Sequence, residues 1–188
     1  MTGRLFAIVG PSGVGKDSLI AAVSKSRPEL RVVRRVITRP ESAGGEPFEG
    51  VSPAEFLARQ KAGEFALFWK AHGLNYGIPT AINDDLAAGY DVIFNCSRSL
   101  ISKAKADFAG LVVVLVTASA EVLAQRLAGR GRESQGEIAA RLERAETGAT
   151  ADFAPDVIIE NETTLDAARD ALLREMARYG IEEKVENV

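Results

Sequence analysis

Continuous apolar runs alternate along this chain with segments whose apolar residues recur at helical spacing. The runs Leu5–Val9, Asp91–Cys96 and Leu111–Thr117 are almost entirely apolar, which is typical of strands covered on both faces of a sheet. Further strands are predicted at Leu30–Ile37, which two arginines interrupt, and at Val157–Ile159. Five strands separated by helices favour an α/β fold with a mostly parallel sheet flanked by helices.

Helices are predicted where apolar residues recur every three to four positions. The segment from Ser52 shows the clearest helix start, because Ser52 can cap the helix, Pro53 suits its first turn and Glu55 completes a capping box. The predicted helices are about Lys16–Ser26, Ser52–Ala62, the segment from Pro79 to Gly89, Ser99–Phe108, Ala120–Ala128, Glu137–Thr147 and Thr164–Arg178.

A glycine-rich octet, GPSGVGKD, stands between the first strand and the first helix. Its spacing, G-x-x-x-x-G-K, is that of a phosphate-binding loop, in which Lys16 reaches the β- and γ-phosphates of a donor. Glycines let backbone N–H groups turn inward around phosphate oxygens, and the helix N-terminus adds the positive end of its dipole. The alternative is a tight turn with a surface lysine. The predicted donor site consists of Gly10, Pro11, Ser12, Gly13, Val14, Gly15, Lys16, Asp17 and Ser18, with Lys16 catalytic.

The residue after the lysine departs from the usual motif. That position usually holds a serine or threonine whose hydroxyl binds Mg²⁺, whereas here Asp17 precedes Ser18. Carboxylate oxygens are good Mg²⁺ ligands, so Asp17 is predicted to hold the metal, directly or through water. The opposite effect, repulsion of the β-phosphate by this carboxylate, stays open.

Arginines in a polar loop form a second group of candidates, since phosphoryl transfer depends on positioning and positive charge. The loop at about residues 129–136, GRGRESQG, carries Arg130 and Arg132, and Arg141 follows on the next helix. We predict a lid whose arginines close over the transferred group. A solvated helix–loop–helix is the alternative, because glutamates are interspersed there.

The segment from Thr38 to Ile78 interrupts the alternation and is predicted to be an insert, residues 38–78, in one domain with a core of residues 1–37 and 79–188. Arg39 opens the insert and is predicted to bind an acceptor phosphate through its guanidinium fork. Arg98 follows a core strand, at the edge where ligands bind such sheets. Spacing alone therefore indicates a P-loop kinase of a small phosphorylated acceptor.

Composition narrows the classes of function. The 188 residues are 46% hydrophobic with a net charge of −3, so a full core is expected and no basic surplus favours nucleic acid. The only cysteine, Cys96, stands in an apolar run and is expected to be a buried structural thiol. Neither a membrane span nor a signal peptide is recognised, so a cytoplasmic protein is expected, with neither membrane nor nucleic acid as partner. The oligomeric state, a homodimer included, stays open.

Several stretches of the chain resemble the guanylate kinase superfamily, from Leu5 to about Tyr179. They are GPSGVGKDSL, VITRP, VSPAEF, GEFALFWKAHGLNYGIP and RLAGRGRESQGEIAARLERA. The resemblance implies a P-loop kinase fold with ATP as donor, Mg²⁺ as cofactor, an acceptor-binding insert and an arginine lid.

Several residues that bind the acceptor nucleotide in that family are replaced in this chain. Leu67 stands where the family usually has a glutamate, and Ile78 stands near its threonine. Ser97 lies near its aspartate, Phe48 replaces its tyrosine, and no second arginine follows Arg39. Apolar side chains cannot pair with the polar edge of guanine, and a site without such partners rejects the base. A guanine pocket is therefore disfavoured.

The variant motifs GKDS, FALFWKAHGLNYGIP and NCSR resemble those of ribose 1,5-bisphosphate phosphokinases. This resemblance implies transfer of the γ-phosphoryl group of ATP to the 1-phosphate of ribose 1,5-bisphosphate, which gives 5-phosphoribosyl 1-diphosphate in phosphonate breakdown. Our hypothesis for the mechanism is direct in-line transfer, in which Arg39, Tyr76 and Arg98 hold the two acceptor phosphates, with Leu67 and Phe68 beside the sugar. Three alternatives stay open: a guanylate-type nucleoside monophosphate kinase, a non-catalytic guanylate-kinase-like binding module, and a nucleotide-sensing regulator.

Overall fold

The computed structural model describes residues 2–43, 46–129 and 153–182. Strands and helices alternate through it, as the apolar pattern predicts. The described strands are β1 (Leu5–Val9), β2 (Arg31–Val32), β3 (Val36–Ile37), β4 (Glu49–Gly50), β5 (Phe65–Ala71), β6 (Leu74–Pro79), β7 (Val92–Asn95), β8 (Leu111–Thr117) and β9 (Val157–Glu160). The described α-helices are α1 (Lys16–Ser26), α2 (Pro53–Lys61), α3 (Ile82–Ala87), α4 (Ile101–Asp107), α5 (Ala120–Gly129) and α6 (Leu165–Glu182), and 3₁₀ helices occupy Glu41–Ala43 and Arg98–Leu100.

Five strands form a parallel sheet in the order β2-β7-β1-β8-β9. β1 lies at the centre, and all five of its residues are buried. Its Phe6 is in register with Ile93 of β7 on one side and with Val112 of β8 on the other. The five-stranded α/β sheet predicted from the apolar runs is confirmed. The carboxyl ends of β1, β7, β8 and β9 meet at one edge, where the site lies.

Helices cover both faces of this sheet, because alternate residues of a strand point to opposite faces. Phe6 of β1 belongs to a buried cluster with Leu19 of α1 and Leu172 of α6. Ala7 belongs to a second cluster with Ile101 of α4. Burying each large apolar side chain stabilises the fold by about 1.5–3 kcal/mol relative to its exposure. Both layers of helices therefore pack against the sheet whose carboxyl edge carries the site.

A second sheet of four strands, in the order β4-β3-β6-β5, contains much of the segment between β2 and α3. β5 and β6 form an antiparallel hairpin that turns at His72 and Gly73, both with positive φ. α2 packs on this sheet through Phe56, whose ring stacks on Phe65 at 4.7 Å between centroids. The helix starts as predicted, since the Ser52 hydroxyl accepts the N–H of residue 55 at 3.1 Å.

One predicted strand is in fact two. The run Leu30–Ile37 was expected to be a single strand, but β2 belongs to the parallel sheet and β3 to the second sheet. The division falls at Arg34, which is exposed, and Arg35, which is buried between the two strands. A continuous strand would place both arginines within one sheet, whereas the observed break leads the chain from one sheet to the other.

The predicted lid lies outside the described residues, except Gly129 at the end of α5, and so does the predicted helix Glu137–Thr147. Within residues 2–43, 46–129 and 153–182, none of the helices has the length and apolar character that crossing a membrane requires.

Candidate active site

The glycine loop joins the carboxyl end of β1 to the N-terminus of α1. Gly10, Gly13 and Gly15 have φ angles of 152°, 89° and 93°, a region that favours glycine. A Cβ on Gly15 would lie 2.8 Å from Nδ2 of Asn161, so the loop runs close against the carboxyl end of β9. The N-cap residue of α1 is Gly15, which has no side chain to cap the helix, so the first N–H groups of α1 are suited to binding an anion.

The buried Val14 fixes the loop to the rest of the fold. Its carbonyl oxygen accepts hydrogen bonds from Asn161 Nδ2 at 2.8 Å and from Arg126 Nη1 at 3.4 Å. Asn161 is itself buried and directly follows β9. Its supporting role was missed at the sequence level, although a polar residue just after the last strand of a parallel sheet is a usable signal.

Lys16 folds back over the loop. Its Nζ donates to the carbonyl oxygens of Gly10, at 2.9 Å, and Pro11, at 3.0 Å. Desolvation of the ammonium group lowers the pKa of Lys16 to about 8; Asp17 opposes this shift, whereas the charges of Arg35 and Arg98 add to it. The loop residues line a polar depression formed by Ser12, Gly13, Gly15, Lys16, Asp17 and Ser18. The structure thus gathers the predicted donor-site residues at one place.

Asp17 is exposed in the first turn of α1. Its Oδ1 accepts a hydrogen bond of 2.6 Å from Nδ2 of Asn95, the last residue of β7. No described residue pairs with its second oxygen. The described ranges contain no group of three histidine, cysteine or acidic residues placed to hold a metal. A cation at Asp17 would therefore complete its coordination with water or with ligand oxygens.

The three predicted acceptor residues come from three elements around the same edge. Arg39 follows β3, and its Cζ lies 4.4 Å from the centroid of the Phe48 ring. Tyr76 of β6 stacks on Trp69 of β5, with 5.1 Å between centroids and 10° between planes. Arg98 follows β7 and lies close enough to the glycine loop to lower the pKa of Lys16.

Arg35 joins this group, although its sequence context gave it no role. Its Nε donates to Glu46 Oε2 at 3.1 Å, and its Nη2 pairs with the other oxygen of that carboxylate. Its Nη1 donates to the carbonyl oxygen of Asn95 at 3.2 Å. The available signal was an arginine inside an apolar run. Cys96 is buried, as predicted, and this burial raises the pKa of its thiol to about 12.

Comparison with known proteins agrees with this geometry. The family model described as guanylate kinase matches residues 2–178. The chain belongs to the guanylate kinase family. A ribose 1,5-bisphosphate phosphokinase from Pseudomonas paraeruginosa is 46% identical over 175 residues, which cover 92% of this chain and 95% of that protein.

Two further matches are a longer, bifunctional protein and a solved structure. A bifunctional ribose 1,5-bisphosphokinase–thymidine phosphorylase from Cupriavidus necator is 46% identical over 168 residues, but the match spans 88% of this chain and only 28% of that protein. The crystal structure of guanylate kinase from Anaplasma phagocytophilum superimposes with a TM-score of 0.72 at 20% identity, covering 94% of this chain and 86% of that chain. The guanylate kinase fold predicted from the motifs is confirmed.

Two positions expected to replace guanine-reading residues of the guanylate kinase family are core positions. Leu67 and Ile78 are paired across β5 and β6, and both are fully buried. Neither side chain offers a hydrogen bond to a ligand. The expected wall of Leu67 and Phe68 beside the sugar is wrong, because consecutive strand residues face opposite sides and only Phe68 is exposed.

Three predicted catalytic arginines of this guanylate kinase homologue, Arg130, Arg132 and Arg141, lie outside the described residues. Their closure over the transferred group stays a prediction.

Proposed function

We propose that this chain transfers the γ-phosphoryl group of ATP to the 1-phosphate of ribose 1,5-bisphosphate, forming 5-phosphoribosyl 1-diphosphate and ADP in phosphonate breakdown. The observation that carries the proposal is the glycine loop with Lys16, which forms a polar depression, together with Leu67 and Ile78, which are buried core residues and offer guanine no hydrogen bond. The similarity to ribose 1,5-bisphosphate phosphokinases over most of the chain supports the choice of acceptor.

The donor phosphates lie in the glycine loop, where the N–H groups at the start of α1 and Lys16 face them. Binding exchanges the contacts of Lys16 with the carbonyl oxygens of Gly10 and Pro11 for contacts with β- and γ-phosphate oxygens. Lys16 then places positive charge where negative charge is redistributed during transfer.

The residues at the start of α1 fit Mg²⁺. Asn95 holds one oxygen of Asp17, and Asp17 lines the polar depression beside Ser18, whose side chain carries a hydroxyl. Asp17 would hold the ion through its second oxygen or through water, because Mg²⁺ prefers oxygen ligands and keeps several waters. When bound, Mg²⁺ neutralises and orients the β- and γ-phosphates.

The acceptor lies between the glycine loop and the second sheet. Its 1-phosphate is already ionised at neutral pH, so the reaction needs positioning rather than a strong general base. Arg39, Tyr76 and Arg98 hold the acceptor's phosphates, and the segment 38–78 acts as the acceptor-binding insert of a core formed by residues 1–37 and 79–188. Residues 129–136 act as the lid.

ATP binding is expected to weaken as the pH rises above 8. Because burial lowers the pKa of Lys16 to about 8, the ligand-free protein loses this positive charge above that pH. Phosphate binding then requires proton uptake, and affinity falls by up to about tenfold per pH unit. Titration calorimetry between pH 7 and 9.5 measures the effect. The variant Lys16→Arg keeps its charge and should give a flatter profile, whereas a flat wild-type profile contradicts the assignment.

Ribose 1,5-bisphosphate is expected to support ADP release far better than GMP. The test supplies ATP and Mg²⁺ with ribose 1,5-bisphosphate, ribose 5-phosphate, GMP or no acceptor, and it follows ADP by a coupled assay. Guanine finds no hydrogen-bonding partner at the buried Leu67 and Ile78, so GMP should turn over at least about 10³-fold less efficiently. Efficient turnover of GMP would replace the proposal with a guanylate-type kinase.

A further inference from the structure

Arg35 is the only buried charged residue among the described residues, with 7% of its surface exposed. It lies where the chain passes from β2 to β3, between the two sheets. Taking a guanidinium group out of water is costly unless other groups compensate for its charge. Its neighbour Arg34, by contrast, is exposed and pairs with Glu41 at 2.9 Å. The buried position of Arg35 beside the glycine loop therefore suggests a specific role.

The protein engages three of the five N–H groups of Arg35. Nε and Nη2 donate to the carboxylate of Glu46, and Nη1 donates to the carbonyl oxygen of Asn95. One N–H of Nη1 and one of Nη2 have no partner within the described part of the chain. Donors on both terminal nitrogens of a planar guanidinium match the spacing of two oxygens of a phosphate group.

The surroundings hold Arg35 in one orientation. Its Cζ lies 5.3 Å from the ring centroid of Tyr76 and 5.9 Å from that of Trp69, and these two rings stack on each other. Glu46 fixes the opposite edge of the guanidinium. A side chain that is already ordered loses little conformational entropy on binding a ligand, so it can recognise geometry strongly.

The charge of Arg35 affects both Lys16 in the glycine loop and Glu46, which precedes β4 of the second sheet. It contributes to the lowered pKa of Lys16, as Arg98 does, so the positive charges of Arg35 and Arg98 both act at the glycine loop. The pKa of Glu46 is raised, foremost by burial and also by Asp17, while Arg35 and Arg39 oppose the rise. Glu46 is therefore paired with Arg35 and lies within the electrostatic influence of Arg39 and of Asp17 in the glycine loop.

We propose that Arg35 binds the second phosphate of the acceptor, the one that receives no phosphoryl group, and so makes the enzyme specific for a sugar bisphosphate. This inference rests on the proposed function. Glu46 neutralises much of the charge of Arg35, which suits recognition of a phosphate whose charge stays constant. The reacting phosphate needs net positive charge instead, as Lys16 supplies.

The test compares ribose 1,5-bisphosphate with ribose 1-phosphate, which lacks the second phosphate. The double variant R35Q/E46Q removes the ion pair without leaving one buried charge unpaired. Arg34→Gln is the matched control, since it removes an exposed arginine at the adjacent position. Calorimetry without ATP gives the dissociation constant of each acceptor, and steady-state kinetics with ATP gives kcat and KM.

The wild type is expected to bind the bisphosphate about 30- to 100-fold more tightly than the monophosphate, the effect of charged hydrogen bonds to one phosphate. R35Q/E46Q should lose this preference because it binds the bisphosphate more weakly, while its affinity for ribose 1-phosphate stays unchanged. Arg34→Gln should retain the preference for the bisphosphate. If the double variant does not fold, Arg35→Lys serves instead, because an ammonium keeps the charge but not the planar fork. Retention of the preference, or equal loss for both acceptors, overturns the inference.

Calorimetry and ADP release together distinguish a failure of this inference from a failure of the proposed function. A wild type that prefers the bisphosphate in calorimetry but releases no ADP contradicts the proposed function and leaves the role of Arg35 intact. A wild type that binds both acceptors equally overturns the role of Arg35, whatever its turnover.

Discussion

Replacement of Lys16 by alanine is expected to lower kcat by about 10³-fold, the effect of removing one well-placed charge from a transition state. Among the described residues, the Nζ of Lys16 has two hydrogen-bond partners, the carbonyl oxygens of Gly10 and Pro11. Its burial is unfavourable for the charged form, as its lowered pKa shows. Lys16 therefore contributes little to folding, and its removal should affect catalysis almost alone.

Single-turnover kinetics at saturating ATP and acceptor measures the loss, and circular dichroism checks the fold. Lys25→Ala is the control, since Lys25 is exposed in the last turn of the same helix, α1. It should keep wild-type turnover. Undiminished turnover in Lys16→Ala would show that the glycine loop does not bind the transferred phosphate.

Replacement of Gly10 by alanine is expected to lower the free energy of unfolding by about 3 kcal/mol, because it combines backbone strain with a steric clash. The φ angle of Gly10 is 152°, and an added Cβ would lie 2.3 Å from the carbonyl oxygen of Val116 in β8. That oxygen belongs to the central sheet and cannot swing aside as a flexible side chain would. The substitution should separate the glycine loop from the sheet edge and weaken ATP binding too.

Gly63→Ala is the matched control for Gly10→Ala. Gly63 also has a positive φ, 74°, but an added Cβ would meet nothing within 4 Å. Its substitution should cost only about 1 kcal/mol, the cost of the left-handed conformation alone. Urea denaturation of the ligand-free proteins gives both free energies of unfolding. Equal losses at the two positions would mean that the contact with Val116 is relieved by movement of the loop.

The sequence predicted best those features that depend on local pattern. β1 and β8 have the predicted bounds, since buried parallel strands leave continuous apolar runs. The glycine loop was also located correctly, because a fixed spacing of glycines and lysine between a strand and a helix is required for its geometry. The position of the loop in the fold could therefore be predicted from its motif, whereas the contacts of its residues with a donor stay a prediction.

Contacts between distant segments could not be predicted in the same way. Arg35 belongs to the site because Glu46 and Asn95, 11 and 60 positions away, pair with its guanidinium. Asn161 supports the glycine loop from 147 positions beyond Val14. The side that Leu67 faces depends on the register of β5 against β6 and on its packing against the parallel sheet. Such features arise from tertiary structure and leave only weak local signals.

Phosphorus NMR of the reaction products tests the central claim most directly. Purified protein is incubated with Mg²⁺, ATP, ribose 1,5-bisphosphate and GMP in equal amounts, and Lys16→Ala serves as the blank. We expect the paired resonances of a diphosphate on carbon 1 of ribose 5-phosphate, formed in a one-to-one ratio with ADP, while GMP stays unchanged. Formation of GDP, or of inorganic phosphate and ADP without a sugar diphosphate, would show that the protein is not a ribose 1,5-bisphosphate phosphokinase.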